Sequence, residues 1–197
     1  MKNILIVEDE DKLRRVLELQ LGAGGYQVLQ AATAEEGLKL ADQASLVLTD
    51  LKLPGMDGLE LLAALRRQDS ATPVIVMTAF GTVEKAVDAM KAGAADFLAK
   101  PVDAAALVQA VRAALKTAQA RHQTIIAAAE MANRLATLTA REREVMEQVV
   151  AGKPNKQIAA ELGTGEQNIK LHRAHIMKKM GVRSLADLVR VAERLRG

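Results

Sequence analysis

At 197 residues the chain has room for one medium domain plus a small one, or for a single large one. Half of it is hydrophobic and 26% is charged, an ordinary balance for a globular protein. The lack of cysteine excludes disulfides, thiolate metal sites and thiol nucleophiles.

The net charge of +3 conceals an asymmetry. Residues 1–116 carry 13 Lys and Arg against 16 Asp and Glu, whereas residues 117–197 carry 14 against 8. An acidic first part joined to a basic second part predicts different partners, with nucleic acid the leading candidate for the second. Only Tyr26, Phe80 and Phe97 are aromatic, which argues against a base-stacking platform for single strands.

The chain begins with Met1-Lys2-Asn3 and a short apolar run, Ile4 to Val7, that stops at Glu8-Asp9. That run is too short for a signal-peptide core or a membrane span, so a cytoplasmic protein with no membrane contact is expected. Further β-branched runs follow at Gln27–Leu29, Leu46–Leu48 and Val74–Met77, with a weaker one at Phe97-Leu98. Between them lie stretches of helical spacing: Leu13, Val16, Leu17 and Leu21 form one stripe, and Leu59, Leu62, Ala63 and Leu65 another. Strands alternating with helices predict an α/β doubly wound parallel sheet of about five strands. In the flavodoxin-like order 2-1-3-4-5, functional residues gather at the C-terminal strand ends.

No strand is expected after Asp103. The Ala-rich stretch from Ala104 to about Leu138 contains no Gly or Pro and reads as one long helix. Leu107, Val111, Ala114, Ala118, Ile125, Ala128, Ala132 and Leu135 keep a rough 3.5-residue spacing, broken by Arg121. A thin coiled-coil seam and a single amphipathic linker both suit that pattern. Thr139 and Glu142 have capping-box spacing, and Gly152 and Pro154 end the helix they start. Asn155 is a candidate cap for a short helix to Leu162, Gly163-Thr164-Gly165 a turn, and Glu166–Met180 a longer helix stopped by Gly181. Ser184 then caps a final helix to about Leu195. This is the outline of a small all-α helix-turn-helix domain. The expected divisions are a receiving domain at 1–118, a helical linker at 119–137 and the helix-turn-helix at 138–197.

Glu8 and Asp9 follow the first predicted strand, Asp50 the third, Thr78 the fourth and Lys100 the fifth. Neighbouring first and third strands bring the carboxylates together. Such a cluster suits Mg²⁺, and a carboxylate beside the metal can attack phosphorus. A hydroxyl at Thr78 and an ammonium at Lys100 are placed to hold phosphoryl oxygens.

The strings Ile6-Val7-Glu8-Asp9-Glu10, Leu48-Thr49-Asp50-Leu51-Lys52-Leu53-Pro54-Gly55-Met56-Asp57-Gly58, Met77-Thr78-Ala79 and Phe97-Leu98-Ala99-Lys100-Pro101 resemble a response-regulator receiver domain over about residues 1–120. Thr78 to Lys100 most resembles receivers of the NtrC type. The resemblance implies that Asp50 is the phosphoacceptor and that Asp9, Asp50 and the backbone carbonyl of Lys52 ligate Mg²⁺, with Glu8 acting through water. It also implies phosphoryl contacts from Thr78 and Lys100, a cis bond at Lys100-Pro101, and a switch in which Thr78 and Phe97 move together. Phe97 lacks the hydroxyl that many receivers carry at that place.

Leu138–Val145, Val149–Leu162 and Ile169–Met180 resemble the LuxR-type output domain of the NarL/FixJ family, over about residues 136–197. Ile169, Ile176, Met180 and in part His172 are spaced to pack against Val145, Val149, Ile158, Leu162, Leu185 and Leu188. Gln167, Lys170, Leu171, Ala174 and Lys178 lie on the other side, available to a major groove. The resemblance puts Lys170, Leu171 and Ala174 at base-facing positions. Asn155, Lys156, Arg173, Lys178 and Lys179 are candidate phosphate contacts. Asn168 departs from the family's usual threonine. His172 and His175 lack partners at metal spacing.

The expected protein is a phosphorylation-dependent transcriptional regulator rather than a metabolic enzyme. Its expected partners are double-stranded DNA, a sensor histidine kinase, RNA polymerase and a second copy of itself. Two alternatives stand beside it: a constitutive DNA binder that dimerises through its receiver, and a Mg²⁺-dependent phosphohydrolase. The second needs an acid two residues after the nucleophile, where this chain has Lys52.

Overall fold

The structure, a computed structural model, describes residues 2–79 and 83–196. Phe80, Gly81 and Thr82, which belong to the NtrC-like segment, lie outside the described residues. The chain divides into two compact units at His122/Gln123.

In the first unit the elements run β1 (Asn3–Val7), α1 (Asp11–Ala23), β2 (Gln27–Ala31), α2 (Ala34–Leu40), β3 (Leu46–Asp50), α3 (Gly58–Arg67), β4 (Val74–Thr78), α4 (Val83–Lys91), β5 (Asp96–Ala99) and the start of α5 (Ala104–Ala136). Among the described residues the strands form one parallel sheet in the order β2-β1-β3-β4-β5. The three central strands are apolar at nearly every position because both of their faces are covered.

Period-two alternation sorts the side chains. Ile4, Ile6, Leu46, Leu48, Ile75 and Met77 meet Leu17, Leu21, Leu107 and Val111 of α1 and α5. Leu5, Val7, Val47, Val74 and Val76 meet Leu61, Leu62 and Leu65 of α3 and Ala89 of α4 on the other face. Full burial of each Val, Leu, Ile or Met among them contributes about 1.5–3 kcal/mol.

Two stripes differ from expectation. Val16 is 47% exposed, so α1 covers the sheet through Leu17 and Leu21 with Leu13 at the margin. In α3 the buried set includes Leu61 and Ala64 beside Leu62 and Leu65. The helix packs on the broad face of a sheet, and its contact stripe is wider than a single ridge. Asp57 and Glu60 form a full capping box at the start of α3.

The second unit holds the end of α5, then α6 (Ala140–Val150), α7 (Asn155–Glu161), α8 (Glu166–Met180) and α9 (Leu185–Arg196). Thr139 and Glu142 form the expected capping box, and Gly181 closes α8 in the left-handed conformation, with φ +67°. Val145, Val149, Ile158, Ile169, Ile176, Met180 and Leu188 make the core. Leu185, expected there, is 42% exposed at the first turn of α9. Asn155 does not cap α7. Pro154 holds that place, and Asn155 is the first helical residue, its side chain accepting a hydrogen bond from Arg173 Nη1 at 2.7 Å.

The long helix of the expectation exists, but its 3.5-residue spacing has several origins. Leu107, Val111 and Ala114 are core residues of the first unit, and Leu135 is half-buried against the second core. Residues 119–130 are exposed throughout. No helix among the described residues is long and apolar enough to cross a membrane.

Candidate functional site

The parallel register brings four strand ends to one level. Val7 pairs with Thr49, Asp50 with Met77 and Thr78 with Ala99. Glu8 and Asp9 just past β1, Asp50 closing β3, Thr78 closing β4 and Lys100 just past β5 therefore share a rim. Backbone bonds hold that rim beyond the strands: Leu51 N–H donates to Met77 O at 2.7 Å, and Lys100 N–H to Thr78 O at 2.8 Å.

Lys100 is the hub. Its Nζ donates to Glu8 Oε2 at 2.7 Å and to Asp50 Oδ2 at 2.8 Å. Glu8 is 1% exposed and Asp50 8%, while Asp9 faces solvent. Burial pushes the Glu8 carboxyl above its ordinary value despite the opposing pull of Lys100. Burial also works against the charge on Lys100, but hydrogen bonds to Asp50 and Glu8, and their negative charge, outweigh it and hold the ammonium above its usual value. Lys100 is thus a fixed counter-charge to two buried carboxylates. The peptide bond to Pro101 is cis, as the resemblance implies.

One oxygen from each of Glu8, Asp9 and Asp50 lies within 4.8 Å of the others. An all-oxygen set with one solvent-facing member fits Mg²⁺, a hard cation that binds through one or two carboxylates and keeps several waters. Lys52 follows in the β3–α3 connection with its side chain exposed. Thr78 is buried at the end of β4, and Phe97, beside Val76 in the register, is half-buried against the cluster under α2–α4.

Two residues the sequence reading passed over shape this pocket. Arg14 donates to the Glu8 carbonyl at 2.5 Å and pairs with Asp11, bracing the β1–α1 turn. Only a fold that returns α1 beneath that turn reveals it, and the sequence carries no signal for it. Gly58, quoted above within a motif, abuts the Asp50 backbone: a Cβ there would lie 2.2 Å from the Asp50 carbonyl oxygen. A glycine opening a helix directly after an Asp cap is the signal that points to such a close approach.

In the second unit α8 shows two faces. Ile169, Ile176 and Met180 are buried, whereas Gln167, Lys170, Leu171, Ala174 and Lys178 are exposed, and Lys156 is exposed on α7. Lys170 lies 3.9 Å from Glu166. Asn168 donates to Thr164 Oγ1 at 3.0 Å and ties the helix start to the preceding turn. Lys179 is committed inward: its Nζ donates to Glu142 Oε2 at 2.6 Å and to Thr137 O at 3.1 Å. Hydrogen bonding to Lys179, then to the Thr139 N–H, brings the Glu142 carboxyl down to about 2. His175 Nδ1 stands 4.0 Å from the same carboxylate.

Comparison with known proteins accords with both halves. Residues 4–112 match the response regulator receiver domain, and residues 136–192 match the bacterial regulatory proteins of the luxR family. The chain is 42% identical over 191 residues to the transcriptional regulatory protein FixJ of Azorhizobium caulinodans, covering 95% of this chain and 90% of that protein. It is 34% identical over 195 residues to the response regulator protein TodT of Pseudomonas putida, covering 98% and 86%. Among solved structures, the response regulator StyR superposes with a TM-score of 0.85 at 34% identity, covering 98% of this chain and all of that one. Full-length FixJ from B. japonicum superposes with a TM-score of 0.62 at 37% identity, covering 98% and 96%. Receiver domains bind Mg²⁺ at an acidic pocket of the kind formed here by Glu8, Asp9 and Asp50. The chain belongs to the NarL/FixJ family of two-component response regulators, transcriptional regulators that join a receiver to a LuxR-type DNA-binding domain.

Proposed function

We propose that Asp50 accepts a phosphoryl group from a sensor histidine kinase and that the change is read out by α8 on double-stranded DNA. The observation that carries this reading is the Lys100 ammonium held between Glu8 and Asp50 at a rim shared by four strand ends. Asp50 Oδ is the nucleophile, forming an acyl phosphate as the donor's leaving group departs. Asp9, Asp50 and the Lys52 carbonyl would hold Mg²⁺, with Glu8 assisting, and the ion would supply charge neutralisation for the transferring group. Lys100 already offsets part of the pocket's negative charge, and on transfer its ammonium exchanges a carboxylate for a phosphoryl oxygen. The Thr78 hydroxyl binds another of those oxygens. Its displacement frees room for the Phe97 ring, shifting an existing equilibrium between two conformations.

The phosphorylated form dimerises and binds paired half-sites, in the cytoplasm, where RNA polymerase is its further partner. Lys170, Leu171 and Ala174 face the bases, with Gln167 at the helix start; the exposed Leu171 suits a thymine methyl. Asn155, Lys156, Arg173, Lys178 and Lys179 serve the phosphates. Of these, Lys156 and Lys178 are the most open, whereas Asn155 and Arg173 act as a bonded pair and Lys179 must share its charge with Glu142. The working divisions are receiver 1–118, linker 119–137 and DNA-binding domain 138–197.

Sedimentation and DNA binding with and without a small acyl-phosphate donor and Mg²⁺ test this. Wild type is expected to associate and to bind DNA more tightly with the donor, and Asp50→Asn to respond to neither. Equal behaviour of the two proteins refutes the switch.

A further inference from the structure

We infer that Arg134, in the helix before the DNA-binding domain and outside every contact set above, is a positioning residue that fixes α8 through reciprocal caps between two helix ends. The C-terminus of a helix presents carbonyls with no partner inside the helix and a partial negative charge. At the end of α8, Arg134 Nη1 donates to the Met180 carbonyl at 2.9 Å. A Cβ on Gly181 would collide with that same guanidinium, so the glycine supplies both the left-handed cap and the opening through which Arg134 reaches. At the end of α5 the roles reverse: Lys179, from the last turn of α8, donates to the Thr137 carbonyl at 3.1 Å. Each helix end is closed by a cation from the other.

The packing agrees with the caps. Met131 and Leu135, on the same stretch of α5 as Arg134, lie against the cluster that contains Ile169, Ile176 and Met180. Lys179 is itself anchored by the buried Glu142, which is 4% exposed and belongs to the Thr139 capping box. The last two turns of α5 are therefore built into the body that carries α8. Tilting or sliding α8 breaks both caps. Base recognition depends on that orientation, because bidentate contacts tolerate little displacement.

The inference rests on the reading of α8 as the DNA-contacting helix, and the experiment separates the two. Full-length wild type, Arg134→Ala, Arg134→Lys and Lys170→Ala are titrated against a duplex recovered by wild type from a random-sequence pool, and against an unselected duplex of equal length, over a range of salt. Arg134→Ala is expected to bind the selected duplex about tenfold more weakly, with unselected binding and the salt slope unchanged and Arg134→Lys partly restored. Hydrogen exchange is expected to quicken in the last turn of α8 but not in α6 or α7. Should Arg134→Ala unfold the unit, Arg134→Lys is the variant compared, with a smaller loss of the same kind expected.

Equal weakening on both duplexes with a salt slope reduced by about one identifies a direct phosphate contact and overturns the inference. So does unchanged binding by Arg134→Ala while Lys170→Ala is weakened. If Lys170→Ala also binds normally, the reading of α8 falls and this inference with it.

Discussion

Replacing Gly58 by Ala tests the junction between β3, which ends at Asp50, and α3, because two sources of stability predict opposite signs. Alanine is the better helix former by about 1 kcal/mol in a helix interior, so local propensity favours the substitution. The tertiary contact opposes it. A Cβ at position 58 would sit 2.2 Å from the Asp50 carbonyl oxygen, 3.0 Å from its carbon and 3.1 Å from Leu51 Cα. All three are backbone atoms of a strand end buried in the sheet, so no flexible side chain can give way. Relief requires roughly 1 Å of movement at the start of α3, where Gly58 N–H also donates to Leu51 O at 3.0 Å. Overpacking of this kind costs about 1–3 kcal/mol and occasionally more. Rigid backbone on every side puts the cost near the upper end, about 3 kcal/mol; with the propensity gain of about 1 kcal/mol deducted, a net loss of about 2 kcal/mol is expected, or roughly 6–10 °C in the receiver's melting transition. Displacing the Asp50 backbone also misaims its carboxylate, so the rate of labelling by a small acyl-phosphate donor is expected to fall by a factor of ten or more, toward the roughly hundredfold cost of a 1 Å misplacement. Calorimetry of the full chain reads the first quantity, and phosphate-affinity electrophoresis the second. A variant that melts at or above the wild-type temperature and labels at the wild-type rate would refute the reasoning.

Two further perturbations probe each unit separately. Glu142, brought down to about 2 chiefly by its hydrogen bond to Lys179, contributes stability that is present above its ordinary value of 4.5 and is lost as pH falls toward about 2. Glu142→Gln is therefore expected to destabilise the DNA-binding unit at neutral pH and to flatten its melting-temperature profile between 4.5 and about 2; a profile parallel to wild type contradicts the assignment. In α1, Val16→Ser is expected to change receiver stability by no more than about 0.5 kcal/mol, whereas Leu17→Ala costs about 2–5 kcal/mol, since only the latter faces the sheet. Denaturant titration of the two variants checks this, and equal losses would show that Val16 is buried in solution.

The pocket was legible because its residues stand at the ends of apolar runs, and a parallel sheet converts those ends into neighbours. Glu8, Asp9, Asp50, Thr78 and Lys100 all belong to that logic. Helix limits were legible where capping chemistry is local, as at Thr139–Glu142 and Gly181. The sequence left the outcome open where a pattern has more than one cause. The seam along α5 mixed residues of two cores with a solvent-exposed stretch, and equal spacing does not say which surface each residue meets. Asn155 has the chemistry of a cap, yet Pro154 takes that place and leaves its amide oxygen to Arg173.

By itself the sequence determined the doubly wound sheet, the acidic rim, the helix-turn-helix and the family, because each is written in short-range periodicity and in motifs a few residues long. Only the tertiary structure decided which charges are spent on one another. Lys100 lies between Glu8 and Asp50, Lys179 turns from the surface to Glu142, and Arg134 closes the end of α8. These pairings join residues 37 to 92 positions apart. The reason is physical: a cation's partner is set by which carboxylate or helix end folding brings within about 3 Å, and spacing along the chain does not encode that distance.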